Sequence, residues 1–388
     1  MSEGHAVSGT SSGGRPRSRS MKDAIETAGP REIDTHSDVL ADIRSFQASA
    51  FASSTLSQYE TDWAAFAAWC RETGNTALPA EPLVVAAYFA RAAKLVREDG
   101  APRYATGTLR TWMSSINTVH FLAGHHKPGE SPEVQLLMSG IARMSLRKQE
   151  QKAPLLIKGL RRTFNEIDLH SYPAGVIGRR DWSLLLFGFV GAYRRSELAS
   201  FNIGDVARHE EDGLHIMLRS GKTDQEGKGL LKALPYGGNP LTCAPCAFFH
   251  WIRVLSVPHG DARDMTALLA RPVESKHVCR ERLPELSSLR PDAPLFRPIM
   301  KGGNITERHI SGNVVNDVLK RRMFAAGFNP QKYGAHSLRA GFVTQAFRDG
   351  ATHHEIMRQT GHKTASSVET YAREYNPLIA NAVTRIEL

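Results

Sequence analysis

Six side chains between positions 194 and 371 of this 388-residue chain have the types needed to handle a phosphodiester: Arg194, Lys222, His336, Arg339, His362 and Tyr371. His336 and Arg339 stand three apart in His336-Ser337-Leu338-Arg339-Ala340-Gly341, a spacing that at the start of a helix turns both toward one anion. Arg194 sits in Arg194-Arg195-Ser196-Glu197-Leu198, Lys222 in a Gly-containing turn, and Gly361-His362 precedes Tyr371. Two guanidiniums, an ammonium and two imidazoles can stabilise a pentacoordinate phosphate, and a tyrosine can attack it. Taken singly, each residue also has a structural reading: surface cations for Arg194, Lys222 and Arg339, helix caps for His336 and His362, a core aromatic for Tyr371. Tyr375, four residues beyond Tyr371 and on the same helical face, is a rival nucleophile. It is the set of six together that points to phosphate chemistry.

The elements that must position these groups can be read from periodicity. Asp181 reads as the cap of one long apolar helix from Trp182 to Ala199, closed by the Arg194 motif. Leu214, Ile216 and Leu218 alternate with His215, Met217 and Arg219, which predicts a strand. A turn from Ser220 to Gly229, carrying Lys222, and a second apolar run from Leu230 to Leu234 complete a hairpin. Upstream, Leu56, Tyr59, Trp63, Phe66 and Cys70 recur at three- and four-residue spacing, followed by helical segments at Leu83 to Lys94 and Thr108 to Leu122. Breakers at Gly74, Pro79, Gly100 and Pro102 separate them. The expected fold is mostly α: an all-helical N-terminal domain over 36–142, a basic linker over 143–152, and an α+β domain over 153–388 with a small antiparallel sheet. Residues 1–35, rich in Ser, Gly and Arg, are expected to be a disordered tail. Residues 350–371 also read as a helix-turn-helix, its second helix opened by Ser366 with Glu369 as a capping box.

Charge narrows the partner. The 388 residues carry a net charge of +10, and the whole excess lies in 151–388, which holds 33 basic against 23 acidic side chains. A folded region with that bias attracts a polyanion, above all nucleic acid. With four cysteines and no secretory leader pattern, the chain is expected to be reduced and cytoplasmic, and no apolar run is long enough to call for a membrane. Cys243 and Cys246 form a Cys-x-x-Cys, but a structural zinc site wants a second, similarly spaced pair, and Cys279 behind His277 is a poor one. The reading therefore calls for no metal, no cofactor and no small-molecule substrate.

From about residue 40 to its end the chain resembles the tyrosine recombinases, or phage-type integrases. The first catalytic arginine of that family matches Arg194 in RRSEL, its hairpin lysine Lys222, its His-x-x-Arg box His336 and Arg339 in HSLRAG, its Gly-His position His362, and its nucleophile Tyr371, nine residues on. Arg195 stands where the family usually has an apolar residue. The resemblance implies a helical core-binding domain that clamps duplex DNA, and a catalytic domain that cuts and rejoins it through a 3′-phosphotyrosine and a free 5′-hydroxyl. Arg194 and Arg339 would hold nonbridging oxygens and Lys222 would protonate the departing 5′-oxygen. His336 would assist proton movement at the tyrosine, and His362 would donate a hydrogen bond to the phosphate. A homo-tetramer holding two DNA sites is implied too, with the amphipathic stretch Asn376 to Leu388 packed into a neighbouring subunit. Two other readings stand beside this one: a non-enzymatic helix-turn-helix regulator, which leaves Arg194 and Lys222 without a purpose, and an enzyme like the type IB topoisomerases, which relaxes supercoils as a monomer.

Overall fold

A computed structural model of the chain describes residues 53–144, 152–219, 229–283 and 285–369, with Val383 and Ile386 beyond them. The N-terminal tail, most of the basic linker, Lys222, Tyr371, Tyr375 and nearly all of 376–388 lie outside the described residues. The chain divides into two compact units, residues 1–150 and 151–388.

Among the described residues, four α-helices make the first unit: α1 Ser53–Glu72, α2 Pro82–Lys94, α3 Thr106–Leu122 and α4 Pro132–Met144. Their apolar stripes meet in one core of Trp63, Phe66, Cys70, Val85, Phe89, Ile116 and Val119. Two polar ties cross it. Asp62 of α1 accepts from Ser115 of α3 at 2.7 Å. His120 donates from Nδ1 to the Ile116 carbonyl at 2.8 Å and accepts the Ala80 N–H on Nε2 at 2.9 Å, and burial holds it neutral. Each tie satisfies buried polar groups that would otherwise cost about 1–3 kcal/mol apiece.

The second unit begins with α5 Ile157–Asn165 and is organised around α6 Ala174–Val190, whose side chains are buried from Arg179 to Phe189. After α6 come α7 Arg195–Ser200 and the strands β1 Val206–His209, β2 Gly213–Leu218 and β3 Leu230–Leu234, antiparallel in the order β1-β2-β3. Helices α8 Ala244–Ser256, α9 Ala262–Leu269, α10 Glu285–Ser288, α11 Gly312–Ala325, α12 His336–Arg348 and α13 His353–Thr360 follow, with a further helix beginning at 365. The sheet follows the expected alternation, with Leu214, Ile216 and Leu218 buried. Strand β1, with only Val206 fully buried, was too short and too polar to announce itself.

The expected single helix from Trp182 to Ala199 is two helices. Chain direction changes at Gly191–Ala192, where Ala192 takes φ 49°, a left-handed backbone that L residues adopt reluctantly. Asp181 is not a cap. It lies within α6, fully buried, where Arg180, Arg321 and Arg322 donate to it at 2.7 to 2.9 Å. A buried carboxylate is tolerable only with such partners, and these arginines lock α6 to α11.

Gly341 closes the HSLRAG segment for a steric reason. The chain at Leu155 crosses α12 so closely that Leu155 N–H donates to the Ser337 carbonyl at 2.9 Å. A Cβ on Gly341 would overlap the Leu155 carbonyl. The glycine thus admits the strap 153–156 against the helix that carries His336 and Arg339.

Candidate active site

Arg194, His336, Arg339 and His362 come from three different places, the N-cap of α7, the first turn of α12 and the residue after Gly361, and are brought together at the C-terminal end of α6. That end exposes carbonyls that α6 cannot satisfy itself, and its dipole favours cations there. Three consecutive carbonyls find donors: Val190 accepts from Gln359 Nε2 at 2.9 Å, Gly191 from Lys232 Nζ at 2.9 Å, and Ala192 from Arg339 at 2.5 Å. The left-handed turn at Ala192 aims the third of these at Arg339.

Arg339 is 2 % exposed, and its other terminal nitrogen donates to His362 Nε2 at 3.0 Å. A guanidinium can only donate, so Nε2 must accept and the ring proton sits on Nδ1, where Thr360 Oγ1 accepts it at 2.8 Å. Thr360 uses its own proton on the Ile356 carbonyl at 2.8 Å. His362 is therefore a neutral imidazole of fixed tautomer. Burial first, then the charges of Arg339 and Arg194, push its pKa down to about 4. His336, the first residue of α12, is pushed down by burial and by the same two guanidiniums.

Arg194 does not close a helix; it is the N-cap of α7, where the dipole disfavours a cation. Glu197 answers this. Its buried carboxylate accepts from the Arg194 backbone N–H at 2.8 Å and from the guanidinium at 2.6 Å. Arg195 turns elsewhere, its guanidinium 3.4 Å from Asn313 Oδ1 on an exposed surface. Of the two adjacent arginines it is Arg194 whose charge reaches both imidazoles.

One residue here was not anticipated. Lys232 on β3 is 3 % exposed, with Nζ 4.4 Å from the centre of the Tyr193 ring, and it feels Glu197, Arg339 and Arg194. Burial pushes its pKa down to about 7. The signal lay in the strand alternation: Lys232 and Leu234 share the buried face of β3, so an inward-facing lysine was readable from Leu-Leu-Lys-Ala-Leu. Lys222 and Tyr371 lie outside the described residues.

Downstream, α13 is capped by Thr352 and Glu355 in a capping box and stopped by Gly361 at φ 71°. The next helix starts at 365, and the expected Ser366 and Glu369 fall inside it. Among the described residues two groups could hold a metal ion, Cys243 with Cys246, His277 and Cys279, and His209 with Asp212 and His215. Neither includes any of the four gathered residues. No described helix is long and apolar enough to cross a membrane.

Two guanidiniums and two imidazoles gathered around one buried helix end are a set suited to an oxyanion such as a phosphodiester, whose charge grows in a pentacoordinate transition state. No family model matches the chain. A curated protein, an integrase/recombinase XerD homolog from Selenomonas ruminantium, is 28% identical over 338 residues, spanning 86% of each chain. That relative and the ordered motifs RRSEL, HSLR and Gly-His make the chain similar to the tyrosine recombinases. Among solved structures it is similar to a lambda integrase fragment, residues 75–356, in a dimer bound to a COC′ core site, with 13% identity, TM-score 0.49, and 87% and 95% of the two chains covered. It is also similar to XerA recombinase, with 13% identity, TM-score 0.40, and 88% and 95% covered.

Proposed function

We propose that this chain is a site-specific recombinase that cuts and rejoins duplex DNA through a covalent 3′-phosphotyrosine on Tyr371. The observation that carries the reading is the gathering of Arg194, His336, Arg339 and His362 at one helix end, in the order the motifs require. The Tyr371 oxygen attacks the scissile phosphorus and gives up its hydroxyl proton with the help of His336, the bond to the 5′-oxygen breaks, and Lys222 delivers a proton to that leaving oxygen. Rejoining runs the same steps backward, with the 5′-hydroxyl as nucleophile. The phosphotyrosine conserves the phosphodiester energy, so no nucleotide is consumed.

The resting hydrogen bonds supply the clamp's first step. An arriving phosphate offers Arg339 a charged acceptor in place of the neutral His362 Nε2. Nε2 is then free to take up a proton, stabilised by the phosphate's negative charge, and to donate to a nonbridging oxygen. Thr360 keeps the Nδ1–H in place throughout. His362 thus changes from acceptor to donor as substrate binds.

In this reading the helical unit and the basic linker over 143–152 follow the DNA backbone, and four chains hold two sites. The helix-turn-helix regulator is disfavoured because it leaves the buried arginine and histidine pair without a task. The test is covalent trapping on a nicked duplex that carries the chain's own site. Wild-type and Tyr375→Phe proteins should form a covalent adduct and Tyr371→Phe should not, although it binds the duplex normally. No adduct in any variant would favour the regulator, and adducts with supercoil relaxation but no strand exchange would favour a topoisomerase. Adducts that persist in Tyr371→Phe and vanish in Tyr375→Phe would overturn the nucleophile assignment.

A further inference from the structure

Three of the chain's four cysteines meet in one place, far apart in sequence from the phosphate-binding motifs. We propose that Cys243, Cys246, His277 and Cys279 form a closed structural zinc site that ties the start of α8 to the irregular loop following α9.

Sequence spacing argued against such a site because the second pair, His277-Val278-Cys279, is not a Cys-x-x-Cys. The fold supplies the second half anyway. All four donor atoms lie within 4.8 Å of one another. Cys243 and Cys279 sulfurs are 3.8 Å apart, and His277 Nδ1 lies 3.3 Å from the Cys246 sulfur and 3.9 Å from that of Cys279. A tetrahedral zinc with bonds of about 2.3 Å to sulfur and about 2.0–2.1 Å to nitrogen needs sulfur–sulfur edges of about 3.8 Å and sulfur–nitrogen edges of about 3.5 Å. The cluster has that size.

The donor set selects the metal. Three thiols and an imidazole with no carboxylate suit a borderline-soft ion and reject magnesium or calcium. Four protein ligands leave no open position, which makes the site structural. Its surroundings favour thiolates. Cys243 is the N-cap of α8 and Cys246 lies in its first turn, at the positive end of the helix dipole. The Gly237 N–H donates to the Cys243 sulfur at 3.3 Å, and a Cβ at Gly237 would come within 3.0 Å of the Cys243 backbone. Cysteines that merely filled a core would have no reason to draw an imidazole nitrogen among them. The loop from Arg271 to Leu283 forms no helix or strand, so a metal cross-link accounts for its fixed course.

The test uses the full chain, purified under reducing conditions without chelator, and is independent of any DNA activity. Elemental analysis should find one zinc per chain, and a thiol-blocking mercurial should release it to a chromogenic chelator. Cobalt substitution should give the visible bands of a tetrahedral site together with thiolate-to-cobalt charge transfer. Cys246→Ser, Cys279→Ser and the exposed His277→Ala should each lose metal or weaken those bands, while Cys70→Ser, in the other unit, should leave both unchanged. A wild-type chain that stays metal-free after incubation with zinc, a cobalt form without thiolate charge transfer, or a disulfide between Cys243 and Cys279 in the reduced preparation would each overturn the proposal.

Discussion

Replacing Lys232 with methionine should stabilise the C-terminal unit at neutral pH and destabilise it in alkali. The lysine is 3 % exposed and its folded pKa is about 7, against 10.5 for the free side chain. Above 10.5 both states are neutral and the burial is harmless. As pH falls toward 7 the unfolded chain takes up a proton that the folded chain resists, so stability is lost at about 1.4 kcal/mol per pH unit. Across that window the loss reaches about 4–5 kcal/mol. Methionine removes this penalty but strands the Gly191 carbonyl, which costs about 1–3 kcal/mol. The net gain at pH 7 is about 2 kcal/mol, which for a unit of this size means a Tm higher by about 4–8 °C. Near pH 10.5 only the stranded carbonyl remains, and the variant should melt below wild type. Thermal melts of both proteins at pH 7, 8.5 and 10 read this directly. A Tm difference that does not change sign or size with pH would refute a buried, titrating Lys232.

Three further outcomes are expected. Arg339→Ala should lower the cleavage rate on a nicked duplex by roughly two to three orders of magnitude, the usual loss for one transition-state contact, with little change in DNA affinity by gel shift. Gly341→Ala forces the strap at Leu155 off α12 and should cost about 1–3 kcal/mol in urea unfolding, as overpacking does, whereas Gly140→Ala, with open space around it, should cost nothing. Removing Asn376 to Leu388 should leave DNA binding intact while reducing the proposed four-chain assembly on DNA, as measured by analytical ultracentrifugation.

Much of this arrangement was legible in the residues because its parts are local. The stripe from Leu56 to Cys70, the alternation from Leu214 to Leu218 and the His336–Arg339 spacing are each decided within a turn or two of chain. What stayed hidden depends on tertiary contact. The break at Gly191–Ala192 carries one isolated glycine and puts the left-handed backbone on the alanine after it, so nothing local announced that one apolar run was two helices. Asp181 looked like a cap because its role as anion for Arg321 and Arg322, 140 and 141 residues away, cannot be read from its neighbours. Cys243, Cys246, His277 and Cys279 were visible in the sequence and set aside on spacing; 31 residues separate Cys246 from His277, and only the fold brings them together.

The three carbonyls at the end of α6 give the site a shared origin of measurement. Gln359, Lys232 and Arg339 are each referenced to successive residues at the end of one buried helix, so a displacement of that end carries all three together. Under the function proposed above, the residues that hold the phosphate inherit this common reference, and control over when to cut falls to whatever delivers the attacking hydroxyl.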